Sequence, residues 1–268
     1  MVTLFLTTPY QPLYILKTNC PILTHSLFLK YGNYLTTVPM YTQNVIVISK
    51  KLVTEISKYD ITHNEIYLTT SHPLQAIEEI LHAHRTFPPN IFALHGAAIE
   101  HNHQAYLFLA PTTTGKTTLT SYLTTQGFGY ITDDCVLLDR ETFTIHPYTT
   151  PLHLRSGGVT VLKEYNALPV TLEYLDDPTF QRYVYTPDNC ITDSLPLGRI
   201  FFITRTKHDN HIEEMNGTQR MTALLKSPII EYPLTSEYMQ FIARLSKVPC
   251  NQLFYCDMNY VTEVIKNG

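Results

Sequence analysis

Over roughly the first 85 residues, short apolar runs alternate with polar positions, a period of two that predicts strands. Residues 41–49 (YTQNVIVIS) and 65–69 (EIYLT) carry the pattern, with turn-like breaks at residues 31–33 and 60–64. The period then changes. Residues 73–85 (PLQAIEEILHAHR) place apolar side chains at helical spacing and stop before Pro88-Pro89. That proline pair divides the chain into a β-rich N-terminal region, 1–88, and a second domain, 89–268.

Beyond the boundary, residues 91–100 (IFALHGAAIE) and 104–110 (QAYLFLA) read as apolar strands joined by His101-Asn102-His103, a short hairpin loop. A Thr-rich loop follows, then a helix over residues 116–126 and a strand over 129–132. A helix of about 12 residues advances about 18 Å. A five- or six-residue strand covers the same distance. The helix therefore returns the chain across the sheet as a right-handed βαβ unit. Residues 199–204 (RIFFIT) read as a buried strand, and 236–245 and 260–266 as amphipathic C-terminal helices. The fold class predicted is α/β with a P-loop core.

The loop between the second strand and the helix is Ala110, Pro111, Thr112, Thr113, Thr114, Gly115, Lys116, Thr117, Thr118. It is a Walker A sequence with Ala at the usual first Gly. Such a loop curls backbone N–H groups around phosphates and ends in the partial positive charge of a helix N-terminus. Lys116 is then expected to neutralise the β/γ-phosphates of ATP and Thr117 to ligate Mg²⁺. The bland alternative is a Thr-rich turn capping a helix, but an apolar strand leads in and a helix leads out.

Asp133-Asp134 follows Lys116 by only 17 positions, at the end of the next strand. Loop and pair then share the carboxyl edge of the sheet, where α/β proteins place their sites. One carboxylate can bind Mg²⁺ while the other accepts a hydroxyl proton; the alternative is a solvated turn. His95 enters through register. If residues 101–103 close the hairpin, Glu100 faces Gln104 and His95 lies opposite about Leu109, beside the loop. Gly96 then permits close backbone approach. A histidine satisfied within an apolar core fits the same pattern.

Composition narrows the function classes. A net charge of −4 without a Lys/Arg cluster argues against nucleic-acid binding. No apolar run of about 18 residues is present to span a membrane. The N-terminus lacks a basic region and a cleavage site, so no signal peptide is expected. Five scattered Cys fit a reducing cytoplasm. The pairs His82/His84 and His101/His103 lack further ligands at zinc spacing, and Cys250 and Cys256 read as structural.

Leu94-His-Gly-Ala97, the APTTTGKTT loop and residues 130–136 (YITDDCV) together resemble the HPr kinase/phosphorylase superfamily. Its members carry His-Gly on the strand before the P-loop and Asp-Asp on the strand after the loop's helix. The resemblance is best over 91–139. Residues 152–161 (LHLRSGGVTV) are similar to a later Glu-x-Arg, Gly-rich segment, with Arg155 matching the Arg and His153 standing in place of Glu. The loop departs too: the family's is Gly-rich and followed by Ser, where this chain has Ala110, three Thr and Thr117. The resemblance implies an HPr kinase-like core in which Asp133 is the general base, Asp134 a Mg²⁺ contact and His95 a neighbour of the reacting hydroxyl. Bifunctional members also run phosphorolysis, the same Asp protonating the leaving serine oxygen. The chain looks closer to the divergent HPr kinase-like proteins associated with ribosomally made peptides, some of which phosphorylate a serine on a precursor peptide.

The leading expectation is therefore an ATP-dependent Ser/Thr kinase acting on a peptide or small protein, with Arg155 pairing with a phosphate or an acidic acceptor. A phosphoenolpyruvate carboxykinase-like phosphotransferase shares the loop and Asp pair, but the chain is short for that family. A module in which ATP orders a peptide-binding surface is the third reading. The sequence leaves open the donor nucleotide, the acceptor and whether the protein is a homo-oligomer.

Overall fold

The computed structural model describes residues 2–9, 13–18, 20–37, 45–50, 65–68, 73–83, 85, 87–177 and 180–267. It is a mixed α/β chain of two units: Met1–Pro88 with Thr171–Thr186, and Pro89–Val170 with Pro187–Gly268.

The first unit contains β1 (Val2–Leu6), β2 (Leu13–Thr18), α1 (Pro21–Tyr31), β3 (Leu35–Thr36), β4 (Val45–Lys50), β5 (Glu65–Leu68) and α2 (Pro73–Ala83). Its sheet runs β3-β1-β2-β4-β5. Leu4, Leu6, Tyr14 and Leu16 of the sheet pack with Leu23 and Leu27 of α1 and Leu74, Ile77 and Ile80 of α2. The hairpin Glu173–Asp177/Phe180–Tyr185 adds Leu175 and Val184 to this core. The helix expected over 73–85 is α2, but the expectation of strands alone before it fails at α1. Pro21 opens that helix, and Leu23, Ser26, Leu27, Lys30 and Tyr31 are buried at helical spacing. The expected break at 60–64, residues 41–44 and His84 lie outside the described residues.

The second unit continues with β6 (Ile91–Leu94), β7 (Gly96–His101), β8 (Gln104–Leu109), α3 (Lys116–Thr125), β9 (Gly129–Thr132), β10 (Val136–Asp139), β11 (Thr144–His146), β12 (Leu152–Leu154) and α4 (Ser156–Glu164). After the hairpin already described (β13 and β14) come β15 (Leu195–Arg205), β16 (His211–Glu214), α5 (Gly217–Leu225), α6 (Ser236–Leu245), β17 (Cys250–Tyr255) and α7 (Met258–Asn267). Apart from β12, the strands of this unit form one sheet in the order β6-β10-β11-β15-β8-β7-β9, with β17 beside β15 and β16 beside β17.

β8 is apolar nearly throughout because both of its faces are covered. Leu107 and Leu109 join a core with Ile200, Phe202 and, from α6, Phe241, Ile242 and Leu245. Alternation sends Tyr106 and Phe108 to the other face, where both rings stack on Phe201. β8 is parallel to β15, and β15 to β17. β9 runs parallel to β8, since both are antiparallel to β7. The helix α3 thus crosses from β8 to a parallel strand, with β7 interposed. The carboxyl ends of β9, β8, β15 and β17 therefore share one edge, and β7 begins there.

The expected single strand over 91–100 is broken at His95. Its first half pairs with β10, Leu94 opposite Val136, and its second with β8, Gly96 opposite Leu109. The hairpin register also differs by one residue from expectation. His101 pairs with Gln104 across a two-residue turn, Asn102-His103, in which both residues have positive φ (51° and 60°). Positive φ at both positions is the mark of a type I′ turn, whose twist suits a hairpin. Among the described residues no helix is long and apolar enough to cross a membrane.

Candidate active site

The shared strand edge gathers the loop after β8, the corner at His95 and the acidic pair after β9. The loop enters α3 through Gly115, whose φ of 100° is open to glycine and costly for other residues. Thr113 also has positive φ, 68°. The Thr114 hydroxyl donates to the Pro111 carbonyl at 2.6 Å and closes the turn. α5 and α6 spend side chains on their first turns, with Asn216 and Thr235 as caps, whereas α3 has no side-chain cap. As at α1 and α4, no side chain caps its leading N–H groups at the positive end of its dipole.

Lys116 is buried, and its ammonium donates to the Ala110 carbonyl at 2.8 Å and the Pro111 carbonyl at 3.1 Å. Its third contact is His95 Nε2 at 3.2 Å. The other ring nitrogen of His95, Nδ1, lies 3.2 Å from the backbone carbonyl of Asp134. A carbonyl only accepts and an ammonium only donates, so the ring is neutral with its proton on Nδ1. Burial and the Lys116 charge both hold the His95 pKa below the usual value, consistent with that state. Two ladders explain the placement. Leu94 opposite Val136 sets His95 beside the acidic turn, and Gly96 opposite Leu109 sets it beside the loop. A Cβ on Gly96 would lie 2.8 Å from the Phe108 carbonyl oxygen, so this approach requires glycine.

The two carboxylates part company at a tight turn. Asp134 has φ 65°, and the Cys135 N–H donates to the Asp133 carbonyl at 2.8 Å, closing a three-residue γ-turn. Asp133 is buried and Asp134 exposed. The Thr117 hydroxyl donates to Asp133 Oδ2 at 2.7 Å, and Oδ1, also buried, has no hydrogen-bond partner. Thr117 is thus brought to Asp133 rather than to Asp134. Burial first, and then the charge of Asp134, push the Asp133 carboxyl up to about 8, against the Thr117 hydrogen bond and the Lys116 charge. Lys116 is pulled below the usual lysine range by burial, opposed by the charges of Asp134 and Asp133.

Arg155 is exposed at the N-cap of α4, an element that the Gly-rich sequence did not announce. The first turn of α4 packs on that of α3: a Cβ on Gly158 would meet the Thr118 hydroxyl at 2.7 Å. Helix packing thus brings Arg155's helix to the loop, without joining its guanidinium to Asp133, His95 or Lys116. The His101 ring lies tilted beside those of Tyr106 and Phe128, and among the described residues no group of three or more His, Cys, Asp or Glu could hold a metal. Cys250 is buried and Cys256 half-buried, both as free thiols.

A cavity of about 680 Å³ lies on the other flank of the loop, between residues 113–115 and residues 205–208 with Cys256. None of residues 205–208 figured in the sequence reading. The available signal was Arg-Thr-Lys-His directly after a buried strand, at a carboxyl end where ligands of open α/β sheets bind.

No protein-family model and no curated protein matches the sequence. Among solved structures, the chain is similar to the HPr(Ser) kinase/phosphatase from Coxiella burnetii, at 10% identity and a TM-score of 0.35. The match covers 65% of this chain and 94% of that one. The likeness is slight, and what the loop and carboxylates can do follows from their own geometry.

Proposed function

We propose that the chain is a kinase that binds ATP with Mg²⁺ at residues 110–118 and phosphorylates a Ser or Thr hydroxyl of a peptide or small protein. The observation that carries this reading is Asp133: a buried carboxyl bonded to Thr117, with one oxygen unpartnered and a pKa near 8. A base works best when its pKa lies near the working pH.

The residues present fit both groups. The uncapped first turn of α3, Gly115 and Thr113 form an anion nest. Thr117 and the acidic pair are hard oxygen donors of the kind Mg²⁺ prefers. Bound nucleotide would supply the phosphoryl group, and Mg²⁺ would offset its charge. Lys116 would leave the Ala110 and Pro111 carbonyls for the phosphates. Asp133 would take the acceptor's hydroxyl proton as that oxygen bonds to the γ-phosphorus and the bond to the leaving diphosphate breaks. His95, neutral and tied to the Asp134 carbonyl, would hold Lys116 on this side of the loop. Arg155, on the helix packed against α3, would steady a phosphate or an acidic acceptor.

The Thr117–Asp133 hydrogen bond favours a second assignment of roles within the same site. Asp133 would then share the cation with Thr117, leaving the exposed Asp134 to face the acceptor. Mass spectrometry of candidate peptides incubated with ATP, Mg²⁺ and the protein tests the function. Phosphate on a Ser or Thr is expected; phosphate only on a small metabolite would favour the carboxykinase-like reading.

A further inference from the structure

The loop has two unlike flanks. On the β7/β9 side stand His95, Lys116, Thr117 and the two carboxylates, the groups able to move a proton or hold a cation. On the β15/β17 side lies the cavity of about 680 Å³, within the size range of small-molecule sites. Its wall carries Arg205, Lys207 and His208, none of them in an ion pair with a carboxylate among the described residues.

The wall is built rather than loose. The Thr206 N–H donates to the Tyr255 carbonyl at 2.8 Å, and the Asp209 N–H to the Thr206 hydroxyl at 3.2 Å. Asn210 Oδ1 accepts from the N–H groups of Cys256 at 2.8 Å and Asp257 at 3.1 Å. These bonds fasten the turn after β15 to the end of β17, and Arg205, Lys207 and His208, all exposed, line the cavity from that turn. Tyr255, largely buried, brings its hydroxyl within 3.6 Å of where a Cβ on Gly115 would stand. Cavity and anion nest are therefore contiguous.

We infer that this cavity receives the nucleoside and α-phosphate of the nucleotide, with Arg205, Lys207 and His208 as its recognition groups. The inference rests on the nucleotide-binding reading above. The reacting end of a triphosphate belongs at Asp133, because the carboxylates, Thr117 and Lys116 are there. The rest of the molecule must then extend along the strand edge. From β9 through β7, β8 and β15 to β17 is four strand steps, about 19 Å at ~4.8 Å each. That span suits an extended nucleoside triphosphate. Going this way, its next charge meets cations and its bulkier end finds a cavity.

Cys256 lines the cavity and reports on it. The rate of iodoacetamide alkylation at Cys256, read by peptide mass spectrometry, is to be compared without ligand, with ATP and with inorganic tripolyphosphate. ATP at ten times its Kd should slow alkylation about ten-fold by mass action. Tripolyphosphate, lacking a nucleoside, should protect much less, and the Lys116→Ala variant should lose the protection by ATP. The Lys207→Ala/His208→Ala double variant should weaken ATP binding more than tripolyphosphate binding. Lys116-dependent ATP binding with an unchanged Cys256 rate would overturn this inference and leave the nucleotide site standing. Equal protection by tripolyphosphate would likewise reduce the cavity to an anion site. A folded protein that does not bind ATP overturns both.

Discussion

The Thr117 hydroxyl donates to Asp133 Oδ2 at 2.7 Å, while Oδ1 of the same buried carboxyl has no hydrogen-bond partner. An unsatisfied buried carboxyl oxygen is costly. If Asp133 is the base, Asp133→Asn should keep nucleotide affinity and lose transfer by about 10²–10⁴-fold. Asp134→Asn should instead raise the Mg²⁺ concentration needed for half-maximal rate. Titrations of both variants with Mg²⁺ distinguish the roles, and the reverse outcome would assign the cation to Asp133.

Stability should carry the mark of the same carboxyl. The folded-state pKa of Asp133 is about 8 and its ordinary value 3.8, so between these pH values the folded chain holds more protons than the unfolded one. Stability must then fall as pH rises through that window. Asp133→Asn removes the titration. Relative to the variant, wild type should lose stability on the order of a few kcal/mol between pH 5 and pH 8, since each pKa unit is worth about 1.4 kcal/mol. Thermal melts across that range measure it; parallel curves would contradict the burial argument.

His95 should titrate below an ordinary histidine and, when neutral, carry its proton on Nδ1. Burial and Lys116 lower its pKa, and its two contacts demand that tautomer. Nitrogen-15 NMR of the imidazole reads both features. A ring titrating near 6.5 would place Lys116 elsewhere in solution.

The strand–loop–helix–strand stretch over 104–132 was legible because each element is local: an apolar run, a glycine, a helical period, another apolar run. What depended on distant pairing was harder to read. Asn102-His103 makes a two-residue turn where three residues were expected, so the partner of Leu109 became Gly96 instead of His95. α1 escaped because Ile22 and Phe28, both exposed, blur its apolar face. Residues 205–208 reach the loop only through the parallel pairing of β15 with β8, across nearly a hundred residues of chain. The Asp-Asp motif was visible, but the γ-turn that buries one carboxyl and exposes the other was not.

Gly96 is tested by stability alone. A methyl there would sit 2.7 Å from Leu109 Cδ2 and 2.8 Å from the Phe108 carbonyl oxygen. Overpacking of this kind costs about 1–3 kcal/mol, so Gly96→Ala should lower the denaturation midpoint accordingly. An unchanged midpoint would mean that the β7/β8 approach is looser than described.

The central claim is tested most directly by phosphoryl transfer itself, comparing wild type with Lys116→Ala. Both are incubated with γ-labelled ATP, Mg²⁺ and candidate peptides from the same gene neighbourhood, and circular dichroism confirms that the variant is folded. The expected result is label on a peptide Ser or Thr with wild type, and a loss of at least about 10²-fold with the variant, as for removal of a transition-state charge partner. Equal labelling by a folded Lys116→Ala protein would contradict the account.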